Sequence, residues 1–185
     1  MISSRDGLRD WLRAPGSLSR RLALLGTRFE VQVLCQGVMP LRQQERLALG
    51  LPRRGCTWVR EVILRVDGQP LVWARSSLHQ SALAGPWQAL KGLGSRPLAD
   101  LLYADPRVQR SELKPRRLAR HGHTRRAMQR QWLAATGAPP SPQMLWSRHS
   151  VFSRRGVNGA QLRVMELFAP ELARHKPKLG HHRHP

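Results

Sequence analysis

Acidic residues are scarce in this chain of 185 residues: 11 Asp and Glu stand against 32 Lys and Arg, 28 of them Arg, for a formal net charge of +21 at pH 7 with histidine neutral. Such an excess points to an anionic partner or substrate and carries no information about fold. Cysteine is nearly absent. Cys35 and Cys56 are too few for a disulfide framework and form no CxxC pair, which argues against a structural zinc or redox motif and leaves two ordinary thiols. Long apolar runs are missing as well. Residues 21–26 and 71–74 are among the longest and fall far short of the roughly 20 residues that a membrane span needs. No charged start followed by an apolar stretch and a small-residue cleavage site opens the chain, so a cytoplasmic protein is expected. GxSxG, a Gly-rich phosphate loop, HExxH and a nucleotide-binding fingerprint are all lacking, and no metal site is expected.

What is present suffices for one ordinary domain. With 41% of its residues hydrophobic, a chain of this length should bury roughly 70% of its unfolded surface. Residues 7–13 read as a helix with Leu8, Trp11 and Leu12 on one face, and Ser17 can cap a second with Leu18, Leu22 and Leu25. From Arg28 the period changes to two, as Phe29, Val31 and Val33 alternate with polar residues in a half-buried strand, followed by a polar loop up to Gly55. Residues 57–66 and 70–76 are two β-type runs joined by Asp67 and Gly68, a pair suited to a tight hairpin turn. Residues 85–93 and 96–103 suggest a second helical pair, and residues 145–152 and 161–168 return to strand character with a turn at Asn158 and Gly159 between them.

Residues 110–130 hold eight cations (Arg110, Lys114, Arg116, Arg117, Arg120, Arg125, Arg126, Arg130) and one carboxylate, Glu112. A block so self-repelling reads as part of a solvated, mobile insertion at about residues 107–142, and replacing residues 110–130 by a short Gly/Ser bridge is expected to leave the rest of the domain intact. His121 and His123 share its fate. Residues 173–185 read as a disordered His-, Lys- and Pro-rich tail, where His181, His182 and His184 make a sticky end rather than a metal site. The whole fits an α+β fold: a single domain, residues 1–172, built on an antiparallel β-sheet with short helical elements.

Two charges interrupt apolar strand faces. Arg60 shares alternate positions with Trp58, Val62, Leu64 and Val66, and Glu166 shares them with Leu162, Val164 and Phe168. An unpaired charge in such an interior costs several kcal/mol, roughly. Either the two form a buried ion pair with a structural role, or they line a pocket where Arg60 clamps a ligand carboxylate and Glu166 meets a hydroxyl or a moving proton. Periodicity does not choose between these. Glu61 shares its face with Arg65 and is expected to join a solvated cross-strand network.

The segments WVREVILRVDGQPLVWARS (58–76), SALAGPWQALKGLGSRPLADLLY (81–103), LWSRHSVF (145–152) and MELFAP (165–170) resemble, in that order, the motifs of the chorismate pyruvate-lyase family, and DWLRAPGSLSRRL (10–22) matches more loosely. The resemblance implies helical flaps closing over one buried ligand, and a reaction without metal or organic cofactor. Chorismate would lose pyruvate to give 4-hydroxybenzoate, the first committed step of ubiquinone biosynthesis. On the family pattern Arg60 holds the ring carboxylate and Glu166 lies near the ring oxygen. Main-chain groups of the flaps correspond to Leu18 and Leu98, and Arg75 occupies a family arginine position. His149 departs from the pattern, standing where the family commonly has a second arginine. A monomer is expected, with chorismate and 4-hydroxybenzoate as its small-molecule partners and no specific nucleic acid.

Two other functions use the same residues. Ligand-sensing domains of some bacterial transcription regulators resemble this lyase in architecture, yet the 27 residues before the first strand are too few for a winged helix. A basic nucleic-acid-binding protein would want aromatic stacking beside its charge, and one Tyr, three Phe and six Trp scattered through the apolar segments supply no such series.

Overall fold

Asp67 and Gly68 take positive φ, 48° and 79°, and so close the tight turn that their sequence calls for. The Asp67 carboxylate accepts from the amides of Thr27 and Arg28 and from the Thr27 hydroxyl, and these hydrogen bonds hold its pKa below the ordinary value. The computed structural model describes residues 4–40, 43–51, 56–157 and 160–177. The expected turn at Asn158 and Gly159 and the histidines at 181, 182 and 184 lie outside them.

Around that turn, β2 (Cys56–Val66) and β3 (Gln69–His79) form the centre of a seven-stranded sheet with β1 (Phe29–Pro40), β4 (Val108–Arg110), β5 (Lys114–Arg117), β6 (Trp146–Arg154) and β7 (Leu162–Phe168). The order is β1-β2-β3-β7-β6-β4, β5 also pairs with β6, and every pairing is antiparallel. This is the α+β architecture expected. β1 runs on to Pro40 and is followed by a helix, α3 (Gln43–Ala48), where a polar loop was expected. Pairing of β1 along the full length of β2 overrides its modest alternation.

Alternation divides the sheet into two buried faces. On the first, α1 (Ser4–Arg13) and α2 (Leu18–Ala23) cover one end, where Trp11, Leu22, Val62, Leu64 and Phe168 pack together. Ser17 caps α2 as expected, its hydroxyl accepting from the Arg20 amide at 3.2 Å. The other end is covered by two 3-10 turns, Gln80–Ala84 and Gln88–Gly92, and by α4 (Leu98–Ala104). Trp58, Trp87, Leu90 and Phe152 meet there. No helix among the described residues is long and apolar enough to cross a membrane.

The second face corrects the view of residues 107–142 as solvated and mobile. They contain β4, β5 and α5 (His123–Thr136), and α5 brings Met128 and Trp132 onto Ile63, Trp73, Met144 and Leu167. The cations of α5 mislead because the positions that face the sheet, Met128, Gln131 and Trp132, carry no charge, while Arg125, itself buried, donates to the carbonyls of Pro142 and Met144. The tail also begins later than expected: residues 170–174 form a 3-10 turn, Leu172 is buried, and the His175 carbonyl accepts from the Trp11 indole at 2.7 Å. Bridging out residues 110–130 is therefore expected to abolish cooperative folding, because it strips Met128 and β5 from the sheet. A thermal melt within a few degrees of the intact protein would contradict this.

Candidate active site

Between the two covered ends of the first face lies a cleft lined by Arg60, Glu166, Leu18, Leu98, Ser76 and Arg110 among others. The sheet register explains the meeting: Arg60 stands beside Ser76, which pairs with Val164, and one row along Val62, Ala74, Glu166 and Arg148 run across four strands. Leu18 and Leu98 are the first residues of α2 and α4, so both flaps present their opening turns to the cleft.

Arg60 and Glu166 share the cleft but are not each other's ion-pair partner. Arg60 is 2% exposed, and its Nη2 donates to the carbonyls of Gly94 at 2.9 Å and Arg96 at 3.1 Å. Its Nε has no hydrogen-bond partner, and among the described residues no carboxylate pairs with it. Burial lowers its pKa from the ordinary value, while a guanidinium stays charged at neutral pH. The site thus holds a fixed, desolvated cation aimed by two backbone carbonyls, the arrangement that favours an anionic ligand group.

Glu166 pairs instead with Arg148, directly opposite on β6, at 2.5 Å. Arg148 is 1% exposed, donates from Nη1 to the carbonyls of Trp11 and Ala14, and lies over the Phe168 ring. One guanidinium therefore ties the carboxylate of β7 to the C-terminal end of α1 and the residue that follows it. Arg148 lies in LWSRHSVF, where Trp146, Ser150 and Phe152 share its alternate positions, so the sequence carries there the same embedded charge that marks Arg60.

Arg75 is not among these residues. It pairs with Glu61 across β2 and β3 on the opposite face, where its Nε and Nη2 reach Glu45 at 2.6 and 3.0 Å and its Nη1 donates to Glu61. Glu61 also accepts from Gln131, and both carboxylates are buried. Burial alone would lower the Arg75 pKa, but Glu45 and Glu61 outweigh it and raise it. The solvated network expected for Glu61 is corrected accordingly: α3 and α5 cover that face, and Arg65 bonds Gln32 and the carbonyls of Gly68 and Ala135 instead.

His149 also faces away from the cleft. Its Nδ1 lies 2.8 Å from Arg163 Nη2, which can only donate, and its Nε2 lies 3.0 Å from the Ser147 hydroxyl, which donates on to the Arg116 carbonyl. The ring is thus neutral, and burial, aided by Arg163 and Arg116, pushes its pKa down to about 3. The unfolded chain binds a proton near pH 6.5 that the folded chain refuses, so this contribution to stability is full above pH 6.5 and falls between there and about 3. Chemical denaturation of wild type and His149→Gln from pH 7 to 4 should show wild type losing up to roughly 1.4 kcal/mol more per pH unit. Parallel curves would contradict the neutral assignment.

The chain matches the family model described as chorismate lyase over residues 2–176. A protein of Albidiferax ferrireducens named probable chorismate pyruvate-lyase is 44% identical over 165 residues, covering 89% of this chain and 82% of that protein. One of the same name from Aromatoleum aromaticum is 41% identical over 165 residues, covering 89% and 85%. Among solved structures, the effector domain of PhnF from Mycobacterium smegmatis superimposes with a TM-score of 0.54 at 14% identity, over 84% of this chain and 90% of that one. That likeness shows the fold alone. On the family match and the extent of the identity, the chain belongs to the chorismate lyase family.

Proposed function

We propose that this protein is a chorismate pyruvate-lyase. The observation that carries the proposal is the cleft itself, where a desolvated Arg60 without a carboxylate partner and the Arg148-held Glu166 face the same space. In the reaction the ether C–O bond to the enolpyruvyl group breaks and a proton leaves the adjacent ring carbon that bears the hydroxyl. The enolpyruvyl group departs as an enolate, which takes up one proton at its methylene carbon to become pyruvate, and the ring becomes aromatic as 4-hydroxybenzoate. Atoms and charge balance without an oxidant or reductant.

Aromatisation supplies the driving force, so the protein has mainly to hold a dianion in the reactive pose and keep water out. Arg60 clamps the ring carboxylate. Glu166, fixed by Arg148, receives the hydroxyl end of the ring, and the two flaps that begin at Leu18 and Leu98 close over it. The reaction is the first committed step toward ubiquinone, carried out by a cytoplasmic monomer that needs neither metal nor organic cofactor.

Purified protein incubated with chorismate and EDTA should yield 4-hydroxybenzoate and pyruvate in equal amounts. Absence of product above the spontaneous background would overturn the activity. Loss of activity on chelation, restored by adding a metal, would overturn the cofactor-free mechanism.

A further inference from the structure

Resting on chorismate as the substrate, the geometry points to Arg110 as the residue that binds its second carboxylate, the one on the enolpyruvyl group. Arg110 lies on β4, in the block whose charge suggested a solvated insertion, and yet it lines the same cleft as Arg60 and Glu166. It pairs in register with Phe152 of β6, and its guanidinium carbon sits 5.4 Å from the centroid of that ring. Its Nη1 donates to the Gly16 carbonyl at 2.9 Å and to the Tyr103 hydroxyl at 3.2 Å, one at the mouth of α2 and the other on α4. Its Nε is buried without a hydrogen-bond partner, and among the described residues no carboxylate pairs with it.

Charge counting in the cleft gives the consequence. Arg148 neutralises Glu166, so the two charges left uncompensated there are the guanidiniums of Arg60 and Arg110. Arg60 enters from β2 and Arg110 from β4, with β3, β7 and β6 between them. Four strand spacings of roughly 4.8 Å separate their backbones, and the side chains reach inward from both sides toward Glu166 on β7. Two cations flanking one carboxylate match a ligand with two carboxylates and a hydroxyl. A monocarboxylate such as 4-hydroxybenzoate leaves one of the two guanidiniums unmatched. Specificity for the dianion then comes from Arg110, whereas Arg60 serves substrate and product alike.

The test compares Arg110→Gln and Arg110→Lys with wild type, by steady-state kinetics on chorismate and by calorimetric binding of 4-hydroxybenzoate. Arg110→Gln should lose roughly 100-fold in kcat/KM for chorismate, as expected when one partner of a buried charge-assisted contact is removed, while 4-hydroxybenzoate affinity changes less than about 3-fold. Arg110→Lys, which keeps the charge and a donor, should recover part of the chorismate loss. If Arg110 only ties α2 and α4 together, chorismate and 4-hydroxybenzoate will weaken in parallel, and that result would overturn the assignment while the lyase activity of the wild type stands. A wild-type protein that forms no product from chorismate would instead overturn the proposed function, and the second-carboxylate role with it.

Discussion

Arg60→Ala is expected to remain folded and to lose roughly 100-fold or more in affinity for 4-hydroxybenzoate, about 3 kcal/mol. The fold should survive because Arg60 has no carboxylate partner whose charge would be stranded; the substitution frees two loop carbonyls, at Gly94 and Arg96, and removes a desolvated cation at the same time. The affinity should not survive, since a guanidinium anchored by those carbonyls is the cation of the cleft that meets a carboxylate common to substrate and product. Thermal melts with and without 4-hydroxybenzoate, beside calorimetry, separate the effects. Glu166→Gln keeps the size and hydrogen-bonding capacity of the side chain and serves as the control that should still bind product. A folded Arg60→Ala protein with wild-type product affinity would remove the carboxylate clamp from the account.

Arg75→Ala should do the opposite: destabilise the fold by roughly 3–5 kcal/mol and leave product affinity in the folded fraction unchanged. Arg75 is 1% exposed and shared between two buried carboxylates, Glu45 of α3 and Glu61 of β2, on the face of the sheet turned away from the cleft. Its removal leaves both acids buried without their common cation. The loss should therefore be seen in the denaturation midpoint and not in the calorimetric affinity. A variant that melts like wild type but fails to bind 4-hydroxybenzoate would return Arg75 to the substrate site.

The two arginines show how far a single strand pattern reaches. Arg60 was legible because four apolar residues shared its alternate positions, and the same alternation placed Glu166 on an inner face. Which residue each would bind was not legible, since partners come from strands distant in sequence: Arg148 lies 18 residues from Glu166 and opposite it only through the β6–β7 register. Arg75 sits one position out of step with the cleft, between Ala74 and Ser76, and a family position in a linear motif does not say which face of a strand it occupies. Charge misled most strongly at residues 107–142. There Arg110 turns into the cleft and Arg125 into backbone carbonyls, so a cation-rich composition concealed both a binding residue and a packed helix. The hairpin at Asp67 and Gly68 and the cap at Ser17 were legible because each is settled within a few residues, by backbone conformation or one hydrogen bond.

The most direct measurement of the central claim is a crystal structure of the protein bound to 4-hydroxybenzoate. The ring carboxylate should lie within hydrogen-bond distance of the Arg60 guanidinium and the phenolic oxygen within reach of Glu166, with α2 and α4 closed over the ring. A product molecule bound outside this cleft, or bound in it with its carboxylate away from Arg60, would contradict the account.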